Sequence, residues 1–237
     1  HKALQHDTRM ARAYFGRGVS YFELGGNAQN MQADFEKAMQ LEPGNAATLH
    51  KIASVYMKLK RYDEAVTLLA RSLAARPDSP EAGILLAQSY QNMGLTDKAL
   101  AQYDALAARY PDNAAIHINR AYLLPVIYQS DEDIDAWLSR AMNNMDKLIT
   151  EKPLLQNPEE SGVELPFYHA YAGRDITAFM QKLAQVFIAC CPALRYTAPH
   201  CAQKPAAKTR IRLGMVSESF DSILLTQFFG NLIAGLA

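Results

Sequence analysis

The sequence predicts an all-α fold, a superhelix of stacked antiparallel helix pairs, and two observations carry that prediction. Pro43, Pro77 and Pro111 stand 34 residues apart. Between them the chain repeats in kind: Leu49, Ile52, Ala53, Tyr56, Leu59, Tyr62, Ala65, Leu69 and Ser72 lead to Pro77, and Gly83, Leu86, Ala87, Tyr90, Met93, Thr96, Ala99, Tyr103 and Leu106 lead to Pro111. An ordinary amphipathic bundle explains apolar residues three and four apart. It does not explain three prolines in phase.

This pattern resembles the tetratricopeptide repeat, in which large-x-x-large-small-x-x-aromatic lies on helix A, small-x-x-x-large-x-x-small on helix B, and proline closes the unit. Each pair has an apolar face that it cannot bury alone, and the next pair covers it. Ala53, Ala65, Ala87 and Ala99 fall where helix axes approach closely, and Tyr56 and Tyr90 fill the wider gaps.

Taken in order, residues 2–7 read as the last turns of a helix B, so the sequence opens inside a repeat and upstream repeats are expected. The first full unit has Tyr14, Gly18 and Tyr21 on helix A, a Leu24-Gly25-Gly26 turn, and Phe35 and Ala38 on helix B. Met31 takes the place of an alanine there, which predicts a slightly wider crossing filled by a flexible side chain. The second unit has helices near 46–58 and 62–75. The third runs from about 80 to 110, with Pro80 in a first turn that needs no N–H from it. Caps come from Ser79 and from Asp112-Asn113. A fourth helix A begins at Ala114 and is stopped by Pro125. Ser130 with Asp133 forms a capping box before a helix from Asp131 to about Thr150, ended by Lys152-Pro153. After a loop-like stretch from 154, a helix is expected from about Ile176 to Cys190, capped near Asp175. Residues 198–210 read as a linker. Ile211 to Val216 reads as a strand, and 223–237 as a helix.

Composition narrows the function. The 237 residues include 24 basic and 24 acidic ones, and 49% are hydrophobic. A balanced charge offers no field for nucleic acid or an anionic membrane. Lys204, Lys208, Arg210 and Arg212 lack interleaved aromatics and read as a solvated linker. No apolar run reaches the roughly 20 residues that span a bilayer. Cys190, Cys191 and Cys201 are the only cysteines and form no CxxC pair, which points to a reducing compartment and a cytoplasmic location. Adjacent cysteines with His200-Cys201 lack the usual spacing of a zinc site, and packing cysteines are the better reading. The segment is therefore assigned no metal ligand, cofactor or catalytic residue.

The second half carries a further resemblance. Phe167-Tyr168-His169-Ala170-Tyr171-Ala172-Gly173, then Cys191-Pro192-Ala193-Leu194, then Ala198-Pro199-His200-Cys201, then Arg210-Ile211-Arg212-Leu213-Gly214-Met215-Val216-Ser217 with Phe220, is similar to the bacterial tetratricopeptide-containing O-linked N-acetylglucosamine transferase family, of the SPINDLY-like kind. The resemblance implies a repeat superhelix over 1–124, a helical transition region and linker over 125–209, and over 210–237 the first β-α unit of a truncated Rossmann-like catalytic domain. It implies a parent enzyme that moves N-acetylglucosamine from a nucleotide sugar to protein serine or threonine. Catalysis is not expected of this segment, because one β-α unit cannot build the parallel sheet. Nucleotide sugar belongs only to an intact parent. Where the family carries a histidine after its strand, this chain has Ile223, which cannot exchange a proton. Ser217, at the strand's C-terminal end, is the candidate for an active-cleft residue in an intact enzyme. Leu224, Leu225, Phe228, Phe229, Leu232 and Ile233 need a covering surface, which implies self-association without one.

The family also clamps peptides with asparagines on helix A. The matching positions here are Gly16, Lys51, Leu85 and Asn119. A protein or peptide partner in the concave groove is expected, with Asn119, Lys51 and Tyr21 as candidate contacts. The alternative is a tetratricopeptide scaffold for protein–protein interaction with no enzymatic parent.

Overall fold

A computed structural model describes residues 10–158, 161–164 and 168–202. They fall into two units, one ending at Tyr196 and one beginning at Thr197. In the first unit the helices are α1 (Ala11–Glu23), α2 (Ala28–Leu41), α3 (Ala46–Lys58), α4 (Tyr62–Ala75), α5 (Pro80–Asn92), α6 (Thr96–Arg109), α7 (Ala114–Tyr122), α8 (Asp131–Glu151) and α9 (Thr177–Cys190). Short 3-10 turns occupy Tyr168–Tyr171 and Pro192–Arg195, and in the second unit Pro199–Ala202. No strand occurs among the described residues. The expected strand at 211–216 and the helix after it lie outside them, so a Rossmann-like unit is no part of the architecture seen here.

The repeat is legible in the caps. Asn45, Ser79 and Asn113, 34 apart, each accept backbone N–H bonds at the start of α3, α5 and α7, satisfying donors that a helix start leaves free. Each of the three hairpin turns ends its first helix in the same way. The N–H groups of Gly26, Arg61 and Leu95 return to the carbonyls of Tyr21, Tyr56 and Tyr90 at 2.7, 2.9 and 2.9 Å, a Schellman closure around a left-handed residue. That residue is Gly25, Lys60 or Gly94, with φ of 61°, 58° and 75°. Only Lys60 holds it against a Cβ.

Packing follows the predicted small and large positions. Ala53, Ala65, Ala87 and Ala99 are fully buried. Met31, in place of the alanine, is also buried, and here α1 compensates: a Cβ on Gly18 would lie 2.6 Å from Phe35 Cε1. The glycine is needed because the phenylalanine ring occupies that space. Two apolar clusters share α5, which turns Ala82 and Leu86 into one and Ile84 and Ala87 into the other. The second continues without a break through α7, α8 and α9 to Cys191.

Beyond α7 the repeat geometry gives way. Arg140 of α8 donates to the carbonyls of Arg120 and Leu123, both at 3.3 Å, and so covers the end of the short helix α7. Ser130 caps α8 as anticipated, accepting from Asp133 N–H at 3.2 Å, but the Asp133 carboxylate accepts from Gln129 N–H, one residue before the cap. Asp175 accepts from Thr177 N–H at 2.8 Å at the start of α9. No described helix is long and apolar enough to cross a membrane.

Candidate functional site

The first helices of the hairpins touch one another, α1 with α3 and α3 with α5, and form one wall. Stacked repeats use such a wall as an extended binding surface. On α5 and on α7, the helix that follows the third hairpin, three polar side chains converge on backbone supplied by the chain itself. Gln88 Nε2 and Asn119 Nδ2 both donate to the Gly162 carbonyl, at 2.6 and 2.9 Å. Asn119 Oδ1 accepts from Glu164 N–H at 3.3 Å. The Tyr122 hydroxyl donates to the Glu164 carbonyl and lies 2.6 Å from Asn119 Oδ1. Two main-chain carbonyls and one N–H are thus held by side chains.

The segment fits by shape as well as by hydrogen bonding. Gly162 has φ +74°, and a Cβ there would lie 3.3 Å from Ile84 Cγ2. Val163 packs against the second apolar cluster. Gln88, Asn119 and Tyr122 are all buried, while Gly162 and Glu164 are exposed, so the clamp is inside and its occupant outside. An open cleft of about 460 Å³ adjoins Ser161 between the starts of α5 and α7 and residues 154–157.

The anticipated contacts lie on α1, α3 and α7, so a shared ligand would have to run along the wall. Asn119 is only 3% exposed and already engaged as described. Lys51 is exposed, with its ammonium 6.0 Å from the Phe15 ring centroid. Tyr21 is half-buried, packing on the first cluster at the turn where Gly26 N–H meets its carbonyl. Leu85 is partly buried in that cluster. Ser217 and Ile223 lie outside the described residues. Gln88 and Tyr122 were not anticipated. Their signal was that both share one repeat position with Ser54, a polar row on an otherwise apolar helix pattern.

His169 packs edge-on between the rings of Tyr122 and Phe179, at centroid distances of 6.4 and 5.3 Å. Its Nδ1 has no hydrogen-bond partner among the described residues. Burial pushes its pKa down to about 4. Because the unfolded chain binds this proton near pH 6.5, the stability held by neutral His169 is fully present above that pH and is lost as pH falls toward 4. The loss is expected to reach about 3 kcal/mol. Urea titrations at pH 7 and pH 4.5 should show a smaller decline for His169→Phe than for the native chain; equal declines would refute the assignment.

No group of three or more histidine, cysteine or acidic residues able to hold a metal occurs among the described residues. Cys190 and Cys191 are buried and Cys201 is exposed.

Repeated helical hairpins with a polar row on their first helices define a helical-repeat protein. Within residues 25–121 these hairpins match the tetratricopeptide repeat model, at 25–82 and 62–121. Anaphase-promoting complex subunit 3 of Schizosaccharomyces pombe (strain 972 / ATCC 24843) is 30% identical over 118 residues, which make up 49% of this chain and 17% of that protein. The chain thus spans about a sixth of the length of this curated relative. Among solved structures, Pseudomonas aeruginosa pilF aligns with a TM-score of 0.52 and 15% identity over 79% of this chain and 77% of its own, a likeness of fold alone. An O-GlcNAc transferase mutant of Thermobaculum terrenum aligns with a TM-score of 0.42 and 18% identity over 62% of this chain and 28% of its own, too slight a likeness to bear on function.

Proposed function

We propose that this chain is a protein-binding module that holds an extended peptide along the wall formed by the first helices of its hairpins. The observation that carries the reading is the grip of Gln88, Asn119 and Tyr122 on main-chain groups of residues 162–164. A surface that binds carbonyls and N–H groups of one chain segment has the chemistry to bind another, and main-chain hydrogen bonds supply the affinity. Along α3 the wall presents exposed Lys51 and Lys58, which favours acidic side chains on a partner. Peptides selected from a random library by the purified chain should be enriched in Asp and Glu. They should bind Lys51→Glu at least about tenfold more weakly, a change of about 1.4 kcal/mol. Selection that yields nothing, or binders indifferent to Lys51, would defeat the reading.

The finer reading makes this module part of a glycosyltransferase that moves N-acetylglucosamine from a nucleotide sugar to protein serine or threonine. Residues 1–124 would then bind the protein substrate, 125–209 would join, and 210–237 would open the catalytic domain. It is supported by the order of the motifs at 167–173, 191–194, 198–201 and 210–217. A coding sequence that continues past Ala237 into several β-α units would agree with it; a stop codon there would favour the non-enzymatic scaffold.

A further inference from the structure

The clamp on α5 and α7 is already full. We infer that residues 161–164 are an intramolecular ligand of the peptide groove, closing its end at α5 and α7 to partners and displaceable only by a peptide that sets glycine in the same left-handed turn at the clamped position. This rests on the groove's binding extended chains, and adds which part of it is free and what the occupied part selects.

Three observations carry it. First, both donors aimed at Gly162 and the acceptor aimed at Glu164 N–H are satisfied by this segment, so a second chain finds no free partner there and must compete. Competition with a tethered segment works against its effective concentration, in the millimolar range for a short tether. Second, the segment lies at the surface: Gly162 and Glu164 are exposed and only Val163 packs on the second cluster, so its release uncovers a single apolar side chain. Third, the clamp discriminates. The left-handed φ of Gly162 and the approach of Ile84 Cγ2 to the missing Cβ both penalise any other residue at this place. Val163, packed on the second cluster, adds a preference for an apolar residue directly after the glycine.

The probe is a synthetic, fluorescently labelled peptide of residues 158–167, titrated into the full chain and followed by polarisation. Gly162→Val in the chain should weaken the internal ligand and raise affinity for the peptide at least tenfold, Gly162→Ala should do so partially, and Asn119→Ala added to Gly162→Val should remove the gain. A peptide with alanine at its own glycine should bind at least tenfold more weakly than the probe. Equal affinity for the native chain and a Gly162→Val chain of native helicity would overturn the inference. If Gly162→Val does not fold, hydrogen exchange on the native chain decides: saturating peptide should speed exchange of the Glu164 amide, and an unchanged rate would overturn it. Because this probe needs Gln88 and Asn119 and not Lys51, its failure leaves the library selection unaffected, and the reverse also holds.

Discussion

Replacing Gly83 by leucine is expected to cost the fold about 3 kcal/mol, and replacing Leu106 by serine in the same molecule is expected to return most of it. A Cβ at Gly83 would lie 2.5 Å from Leu106 Cδ2, and Leu106 is 6% exposed, so neither side chain has room to withdraw. At the equivalent positions the second hairpin carries Leu49 and Ser72, the same pair with its sizes exchanged. Both Leu49 and Ser72 are buried, and Ser72 Oγ donates to the Ala46 carbonyl at 2.9 Å. A serine at 106 would be placed to do the same to Pro80, 34 residues on from Ala46. Leu106→Ser alone removes a buried leucine, costing about 3 kcal/mol. The double variant should come within about 1 kcal/mol of the native chain, helped by relieving a glycine inside a helix. A double-mutant cycle by urea denaturation tests this; simple addition of the two single losses would show that hairpins two and three do not share one packing rule.

Asn119→Ala should destabilise the fold by about 2 to 4 kcal/mol, more than any other single loss in the clamp. The amide serves the Gly162 carbonyl, the Glu164 N–H and the Tyr122 hydroxyl at once. Removing it leaves buried Tyr122 with one acceptor in place of two, leaves the Gly162 carbonyl to Gln88 alone and deprives the Glu164 N–H of its acceptor. Tyr122→Phe keeps the ring and should cost about 1 kcal/mol. Gln88→Ala combined with Asn119→Ala should cost less than the sum, because both donors grip the same carbonyl. Thermal or urea unfolding of these three variants and of Gln88→Ala alone gives the comparison. A loss under about 0.5 kcal/mol for Asn119→Ala would mean that residues 162–164 contribute little to the folded state.

Residues 10–122 form the helical hairpins that the sequence predicted because their information is local and periodic. A proline every 34 residues, an asparagine or serine at the starts of α3, α5 and α7 and a small residue at most close crossings repeat the same physical demand, and three copies make it unmistakable. The helix from Asp131 was legible for a similar reason, since Ser130 and a one-sided apolar stripe need no distant partner to be read. Asn119 was also visible, but as a contact for another molecule. In the folded chain its amide bonds Gly162, 43 residues away and beyond α8, where no periodicity links them. Gln88 reaches 74 residues to the same carbonyl. Hydrogen bonds to main chain leave no trace in the residue that accepts them, because every residue has a carbonyl. Only the tertiary structure, by bringing the stretch before α9 back across α5 and α7, decides that Gln88, Asn119 and Tyr122 are engaged by the protein's own main chain.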